Sequence, residues 1–423
     1  MSNVIKYKQK NGLTVILEPI DSVVSISAGL WVKTGSRNEI SKEYGYAHFV
    51  EHMLFKGTET KSAKDIARMI DRVGGQHNAA TNREYTCYYI NVISDYLDLA
   101  LDVLSDMYYN SLIDAEELEK EKNVIIEEIR MYEDTPDEFV HDMFMEKMLL
   151  GHPLSHSILG TVDTIKNADR KSLDGFYKRF YRNDNAILVI AGKFTENQAR
   201  EFVEKYFSKT DSEKTEIEVI QANPPKRIDV EHFNRDLEQM HFCLGVDGIK
   251  KNDEARWPLY ALSTILGGSM SSRLFQNIRE KEGISYSIYS FHSSYSDYGI
   301  FGIYCATVPE KFYKALELII KECKDIQSEN VTDEEIQDAK TFMKGNLALS
   351  LESPEVRMGQ LAKNEITFGR SFDFNELSVQ INSIKREDFK EIVDRLFSKQ
   401  RLSMVSVGDL KDFAKAKIDL SLA

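Results

Sequence analysis

The chain repeats itself. Asp114-Ala-Glu-Glu-Leu-Glu-Lys-Glu-Lys122 matches Thr332-Asp-Glu-Glu-Ile-Gln-Asp-Ala-Lys340 at an offset of 218 residues. Each segment begins with a residue suited to a helix N-cap and carries a glutamate three positions on, Glu117 in one and Glu335 in the other, so each opens a helix with a capping pair. The apolar run Ala186-Ile-Leu-Val-Ile-Ala-Gly192 is likewise echoed by Leu402-Ser-Met-Val-Ser-Val-Gly408. A pattern that recurs once in this way predicts two homologous copies of a unit of about 200 residues. At 423 residues the chain is also too long for one ordinary core.

Within the first copy, strand and helix periodicities alternate. Residues 4–18 read as a hairpin turning at Asn11-Gly12, the strongest short-range hairpin signal. Ser22 to Lys33 reads as a second strand and Ser62 to Val73 as a helix stopped by Gly74-Gly75. Asn78 to Ile93 reads as one Tyr- and Thr-rich strand region, followed by helices over about 95–110, 114–131, 137–150 and 163–180, a strand at 186–192 and a helix at 195–207. The second copy reads as strands in 228–248, helices in 256–281, a strand pair in 285–306, long helices in 309–368 and a strand at 402–407. The expected fold class is α+β, with two homologous domains, each a mainly antiparallel sheet packed with helices. Residues 1–210 form the first domain and 228–423 the second. The stretch 211–227, rich in Ser, Lys, Thr and Glu and containing Asn223-Pro-Pro225, is the expected linker.

Composition narrows the partners. A net charge of −14 and a pI near 5.3 argue against a general nucleic-acid binder, which needs a basic footprint. No apolar run approaches the ~18 residues of a membrane span. Cys87, Cys243, Cys305 and Cys323 are widely spaced, as expected of free thiols in a reducing compartment. Met1-Ser-Asn-Val-Ile-Lys-Tyr-Lys8 has neither a signal-peptide core nor transit-peptide character. A cytoplasmic protein is expected, with no membrane and no nucleic-acid partner.

Chemistry concentrates in Gly45-Tyr-Ala-His48-Phe-Val-Glu51-His52-Met-Leu-Phe55. If this run is helical, His48 and His52 stand one turn apart on one face and can reach one metal ion. Glu51 borders that face, where it can hold a water without ligating the metal. The order His-x-x-Glu-His is the inverzincin arrangement, the reverse of His-Glu-x-x-His. The duplication separates this polar set from the scaffold. At an offset of 211, Leu54-Phe-Lys-Gly-Thr58 aligns with Ile265-Leu-Gly-Gly-Ser269, placing Leu259, Leu262 and Ser263 opposite His48, Glu51 and His52. The second copy keeps the helix without the polar groups, so the fold does not require them. In the helix at 114–131, Glu117 faces Glu335, whereas Glu121 faces Ala339 and Glu128 faces Asn346. Glu121 and Glu128 share a face at i and i+7. Glu128 would complete a His-His-Glu site with an open water position, and Glu121 would accept a hydrogen bond from a ligand imidazole. Spacing alone does not choose Glu128 over Glu127.

His48-Phe-Val-Glu-His52-Met-Leu-Phe-Lys-Gly-Thr58 closely resembles the pitrilysin/insulinase family of zinc peptidases, in particular the mitochondrial processing peptidase β type and its two-domain bacterial relatives. The similarity extends over nearly the whole chain, including Gly74-Gly-Gln-His-Asn78-Ala79-Ala-Thr81 and Ser271-Ser-Arg-Leu-Phe-Gln-Asn-Ile-Arg279-Glu-Lys-Glu-Gly-Ile-Ser-Tyr286. The resemblance implies that Glu128 is the third ligand of a Zn²⁺ and Glu121 the accessory glutamate. It implies that Glu51 is the general base and that Arg279 and Tyr286 contact substrate near the scissile bond. It also implies that the strand at Asn78-Ala79 offers its edge to an extended peptide. His77, close by, is expected to be structural or substrate-facing, since a fourth protein ligand would close the water site. Two-domain relatives pair around a chamber, so a homodimer is expected, with Arg279 and Tyr286 serving the metal of the opposite subunit. The resulting expectation is a zinc endopeptidase acting on short or unfolded peptides. Its competitors are a non-catalytic peptide-binding or assembly subunit, and a catalytic subunit that needs a separate partner chain. The complete ligand set disfavours the former, and Arg279 and Tyr286 in the same chain disfavour the latter. Zinc over manganese or cobalt is a preference from ligand type.

Overall fold

The computed structural model describes residues 4–210, 225–328, 331–397, 401–410 and 418–422, so most of the expected linker at 211–227 lies outside the described residues. In chain order, the first half supplies β1 (Ile5–Lys8), β2 (Thr14–Pro19), β3 (Ser25–Val32), α1 (Tyr46–Leu54), α2 (Ala63–Asp71), β4 (Gln76–Thr81), β5 (Thr86–Ile93), α3 (Leu97–Asn110) and α4 (Ala115–Asp134). It continues with α5 (Pro136–Met148), α6 (Val162–Asn167), α7 (Arg170–Phe180), β6 (Ala186–Gly192) and α8 (Glu196–Phe207). The second half supplies β7 (Val230–Asn234), β8 (Met240–Asp247), α9 (Arg256–Leu266), a π-helical turn at Phe275–Lys281, β9 (Ser285–Ser294), β10 (Gly299–Thr307) and α10 (Phe312–Gln327). It ends with α11 (Asp333–Ser350), α12 (Pro354–Phe368), α13 (Phe374–Asn382), α14 (Arg386–Phe397) and β11 (Ser403–Gly408).

Apart from the extra edge strand β1 of the first, the two sheets share one five-strand topology. The first runs β1-β2-β6-β3-β5-β4 and the second β7-β11-β8-β10-β9. In each, one pair is parallel, β2 with β6 and β7 with β11, while the remaining neighbours are antiparallel. The fold is thus α+β with two mainly antiparallel sheets, and the matching strand orders express the internal repeat.

Two compact units result, and neither is continuous in sequence. One gathers Met1–Met131, His156–Ala222 and Ser350–Asp373, and the other Tyr132–Ser155, Asn223–Leu349 and Phe374–Ala423. The exchange follows from the burial pattern. Every residue of β6 is buried, so the strand has no solvent face and both sides of its sheet must be covered. On one side α1, α3, α7 and α8 join the main core around Phe49, Leu104, Phe176 and Val203. On the other side Ile16, Trp31, Ile187 and Val189 meet Met358, Leu361 and Ala362 of α12. The α12 helix is held there by Arg357, which pairs with the carboxylate of Glu18 on β2. In the second unit α5 does the same: Val140, Phe144 and Met148 cover Cys243, Ile300, Tyr304 and Val405.

Several element boundaries differ from the sequence expectation. The region 78–93 is a hairpin rather than one strand, because the chain reverses at Asn82, whose N–H donates to the Tyr85 carbonyl at 2.8 Å. The helix expected over 163–180 is two, since Asp169 caps a new one by accepting from the Ser172 N–H at 2.7 Å. The helices expected in 256–281 are α9 and the π-helical turn, separated at Gly267, where a side chain would meet the Ser290 amide. Helices α13 and α14 have no counterpart in the sequence reading.

Candidate metal centre

Helix α1 carries the histidines. Phe49, Val50, Met53 and Leu54 are buried in the core of its unit, which turns the Glu51–His52 side away from that core. The helix begins at Gly45, which lies in the left-handed region at φ 92 and offers no side-chain cap. A buried carboxylate, Glu39, replaces the cap. It accepts from the Ala47 N–H at 2.7 Å and the Gly45 N–H at 2.9 Å, neutralising donors that the first helical turn leaves unpaired. His156 Nε2 lies 3.1 Å from the same carboxylate and 2.9 Å from the Ser36 carbonyl. Burial pushes the Glu39 carboxyl up despite these bonds from His156, Ala47 and Gly45.

Helix α4 brings the glutamates. Asp114 starts it by accepting from the N–H groups of Glu116 and Glu117 at 2.9 and 3.1 Å. Leu118, Ile125, Ile126 and Ile129 are buried, and this phase fixes its carboxylates. Glu127 points outward, 70% exposed and paired with Arg130, while Glu128 is 27% exposed and turned toward α1. Nε2 of His48 and Nε2 of His52 are 3.2 Å apart, and Oε2 of Glu128 is 3.7 Å from each. Among the described residues these three form the group of His, Cys, Asp and Glu ligand atoms close enough to hold a metal ion.

The donor set fits Zn²⁺. A tetrahedral ion with arms of about 2.0–2.1 Å needs donors about 3.3 Å apart, close to the separations here. The protonation pattern agrees. Nδ1 of His52 is 2.8 Å from Oε1 of Glu121, so it carries the proton and leaves a lone pair on Nε2. His48 is buried, and its Nδ1 has no hydrogen-bond partner. Burial, then His52, pushes the His48 pKa down to about 3, keeping it in the neutral form that ligates metal. Two neutral imidazoles that face each other through Nε2 at 3.2 Å are poorly stabilised by each other and well stabilised by a cation between them.

The surrounding residues complete the centre. Burial pushes the Glu51 carboxyl up, and the Thr81 hydroxyl, which donates to Glu51 Oε2, opposes that shift. Burial works against ionisation of Glu121 as well, but bonds from His52 and Lys56 outweigh it and hold its pKa below the usual carboxylate range. Lys56 Nζ lies 2.6 Å from Glu121 Oε2. Burial also raises Glu128. Thr81, Lys56 and Glu39 were not singled out from the sequence.

Asn78 and Ala79 lie on β4, the terminal strand of its sheet, bonded along one side to β5. Asn78 is exposed, and its Oδ1 accepts from the Ala79 N–H at 2.9 Å. His77, on the same strand, sits against Phe55 with ring centroids 5.5 Å apart. Arg279 and Tyr286 belong to the other unit and meet each other. The Arg279 guanidinium lies 4.8 Å from the Tyr286 ring centroid and 4.5 Å from that of Phe275. Tyr286 is 79% exposed. The arginine sits on the π-helical turn, a geometry frequent at functional sites.

Comparison with known proteins identifies the family and the fold. The sequence profile described as insulinase (peptidase family M16) matches residues 14–162, and that described as peptidase M16 inactive domain matches residues 167–343. An uncharacterized zinc protease of Bacillus subtilis, YmxG, is 39% identical over 404 residues, covering 95% of this chain and 98% of its own. An uncharacterized zinc protease of Streptomyces coelicolor is 36% identical, covering 97% and 91%. In fold, the chain is similar to a protease from Helicobacter pylori, with a TM-score of 0.90 at 23% identity over 96% of this chain and 100% of that one. It is similar too to a peptidase M16 inactive domain from Pseudomonas fluorescens, with a TM-score of 0.88 at 20% identity over 96% and 98%. With full-length relatives at this identity and both halves matched, the chain belongs to the insulinase family of peptidases, family M16.

Proposed function

We propose that the chain is a zinc-dependent endopeptidase acting on short or unfolded peptides. The observation that carries this reading is the convergence of His48 Nε2, His52 Nε2 and Glu128 Oε2 beside Glu51, an N,N,O set that leaves a fourth position for water. A Zn²⁺ held by these residues supplies Lewis acidity, making water a nucleophile at neutral pH and polarising a carbonyl. Glu51, fixed through one oxygen by Thr81, takes the water proton with its carboxylate as the C–O bond forms, and returns it to the leaving amine as the oxyanion collapses and the peptide C–N bond breaks. Edge strand β4, at Asn78 and Ala79, pairs with the substrate main chain, which gives affinity with little sequence demand. Tyr286 donates to the developing oxyanion, and Arg279 holds a substrate carbonyl or carboxylate.

In this reading the active form is a homodimer that encloses a chamber, with Arg279 and Tyr286 of each subunit serving the metal of the other. The full-length similarity to zinc proteases supports the peptidase reading itself. A reducing, cytoplasmic setting is supported by four buried free cysteines, and among the described residues no helix is long and apolar enough to cross a membrane.

The test is cleavage of quenched-fluorescent peptides by the purified chain before chelation, after chelation and after zinc is restored, with sedimentation in parallel. Loss and recovery of cleavage in a dimeric species is the expected result. Cleavage indifferent to chelator would contradict the metal mechanism, and full activity in a strict monomer would contradict the shared site.

A further inference from the structure

We infer that Lys56 is a positioning residue of the metal centre, acting through Glu121 on His52. This rests on the reading of His48, His52 and Glu128 as a metal centre. Lys56 follows the end of α1, just before Gly57, which lies at φ 120. Its ammonium is 2.6 Å from Glu121 Oε2, while Glu121 Oε1 is 2.8 Å from His52 Nδ1. The terminal torsion of a glutamate is soft, and a carboxylate held by one oxygen swings about it. Held at both oxygens, Glu121 has one orientation, and His52 has one ring orientation with Nε2 toward the centre. Glu121 is 5% exposed and Lys56 30%, so this bond is shielded from the solvent that weakens surface pairs.

The internal repeat supplies an independent argument. By the two offsets that align the halves, His52 faces Ser263, Lys56 faces Gly267 and Glu121 faces Ala339. All three members of the chain Lys56–Glu121–His52 are absent together from the second copy. Helices α9 and α11 nevertheless form there. A lysine–glutamate tie is therefore not needed to build this pair of helices. It accompanies the ligand histidine.

The test is zinc affinity, measured by competition between the metal-free protein and a chromophoric chelator. The variants are Lys56→Met, Lys56→Arg, Glu121→Gln and the double variant Lys56→Met with Glu121→Gln. Loss of an outer partner costs about 10- to 100-fold in metal affinity. Lys56→Met is expected to weaken zinc binding about tenfold in a metal-free protein that still melts in one cooperative transition. Lys56→Arg is expected to recover part of the loss, and the double variant to bind no more weakly than Glu121→Gln. Wild-type affinity in Lys56→Met would overturn the inference. So would a loss of equal size in the Glu121→Gln background, since Lys56 would then act independently of Glu121. Peptide cleavage on the same samples separates the two proposals. Zinc binding that responds to Lys56 in a chain that cleaves nothing would sink the peptidase reading and leave this one standing. A wild-type chain that binds no zinc would overturn the metal centre and Lys56 together.

Discussion

The hydroxyl of Thr81, at the end of edge strand β4, donates to Oε2 of Glu51 on α1. One oxygen of the carboxylate is thereby fixed and the other left for proton transfer. The strand proposed to hold substrate and the residue proposed to act as base are thus joined by a direct bond. A hydrogen bond to a charged group is worth about 1.5–3 kcal/mol. Thr81→Val, which keeps the shape and removes the hydroxyl donor, should lower kcat about 10- to 100-fold with zinc content unchanged, and Thr81→Ser should restore most of it. Steady-state kinetics with metal analysis on the three proteins checks this, and wild-type kcat in Thr81→Val would refute it.

Glu128 and its neighbour Glu127 make a matched pair of variants. Glu127→Gln alters an exposed side chain paired with Arg130, and should bind zinc like wild type. Glu128→Gln removes a ligand oxygen and should lose more affinity than the 10- to 100-fold typical of an outer partner. Isothermal titration with zinc decides it. Equal affinities in the two variants would show that Glu128 is not a ligand.

Glu39 caps the helix that carries both histidines. Glu39→Gln keeps one acceptor oxygen and loses the other, leaving one of the Gly45 and Ala47 amides unmatched in a buried place. Loss of a cap and a buried unsatisfied group each cost about 1–2 kcal/mol. The variant should shift the urea midpoint down by the equivalent of about 1–3 kcal/mol. An unchanged midpoint would show that water replaces the carboxylate at no cost.

How much of this was legible depended on whether a contact was local. The histidine pair follows from helical spacing inside one segment, and the repeat from aligned residues, so both were readable. Spacing left the choice between Glu127 and Glu128 to the family resemblance, because it depends on which face of α4 meets the core, and Ile125, Ile126 and Ile129 settle that only once packed. Lys56 stood in a quoted motif, but its partner Glu121 is 65 residues away. Nothing in either segment names the other. Thr81 and Glu51 are separated by 30 residues in the same way. The turn between β4 and β5 contains Asn82-Arg83-Glu84-Tyr85 and no Gly or Pro, so its signal was weak, and the reversal relies partly on Arg83, buried and donating to the His156 carbonyl. The coverage of each sheet by α5 and α12 was hidden for another reason. A helical period reveals that a helix has an apolar face but not which sheet it meets. Helix α14 carries a legible helical period in Phe389, Ile392, Val393 and Leu396.

The most direct test of the central claim is zinc content and peptide cleavage measured together on wild type and Glu51→Gln. Glu51 is not a ligand in this account, so both proteins should hold about one zinc per chain, and only wild type should cleave. Loss of zinc in Glu51→Gln, or cleavage retained by it, would contradict the assignment of Glu51 as the base beside a His48–His52–Glu128 metal centre.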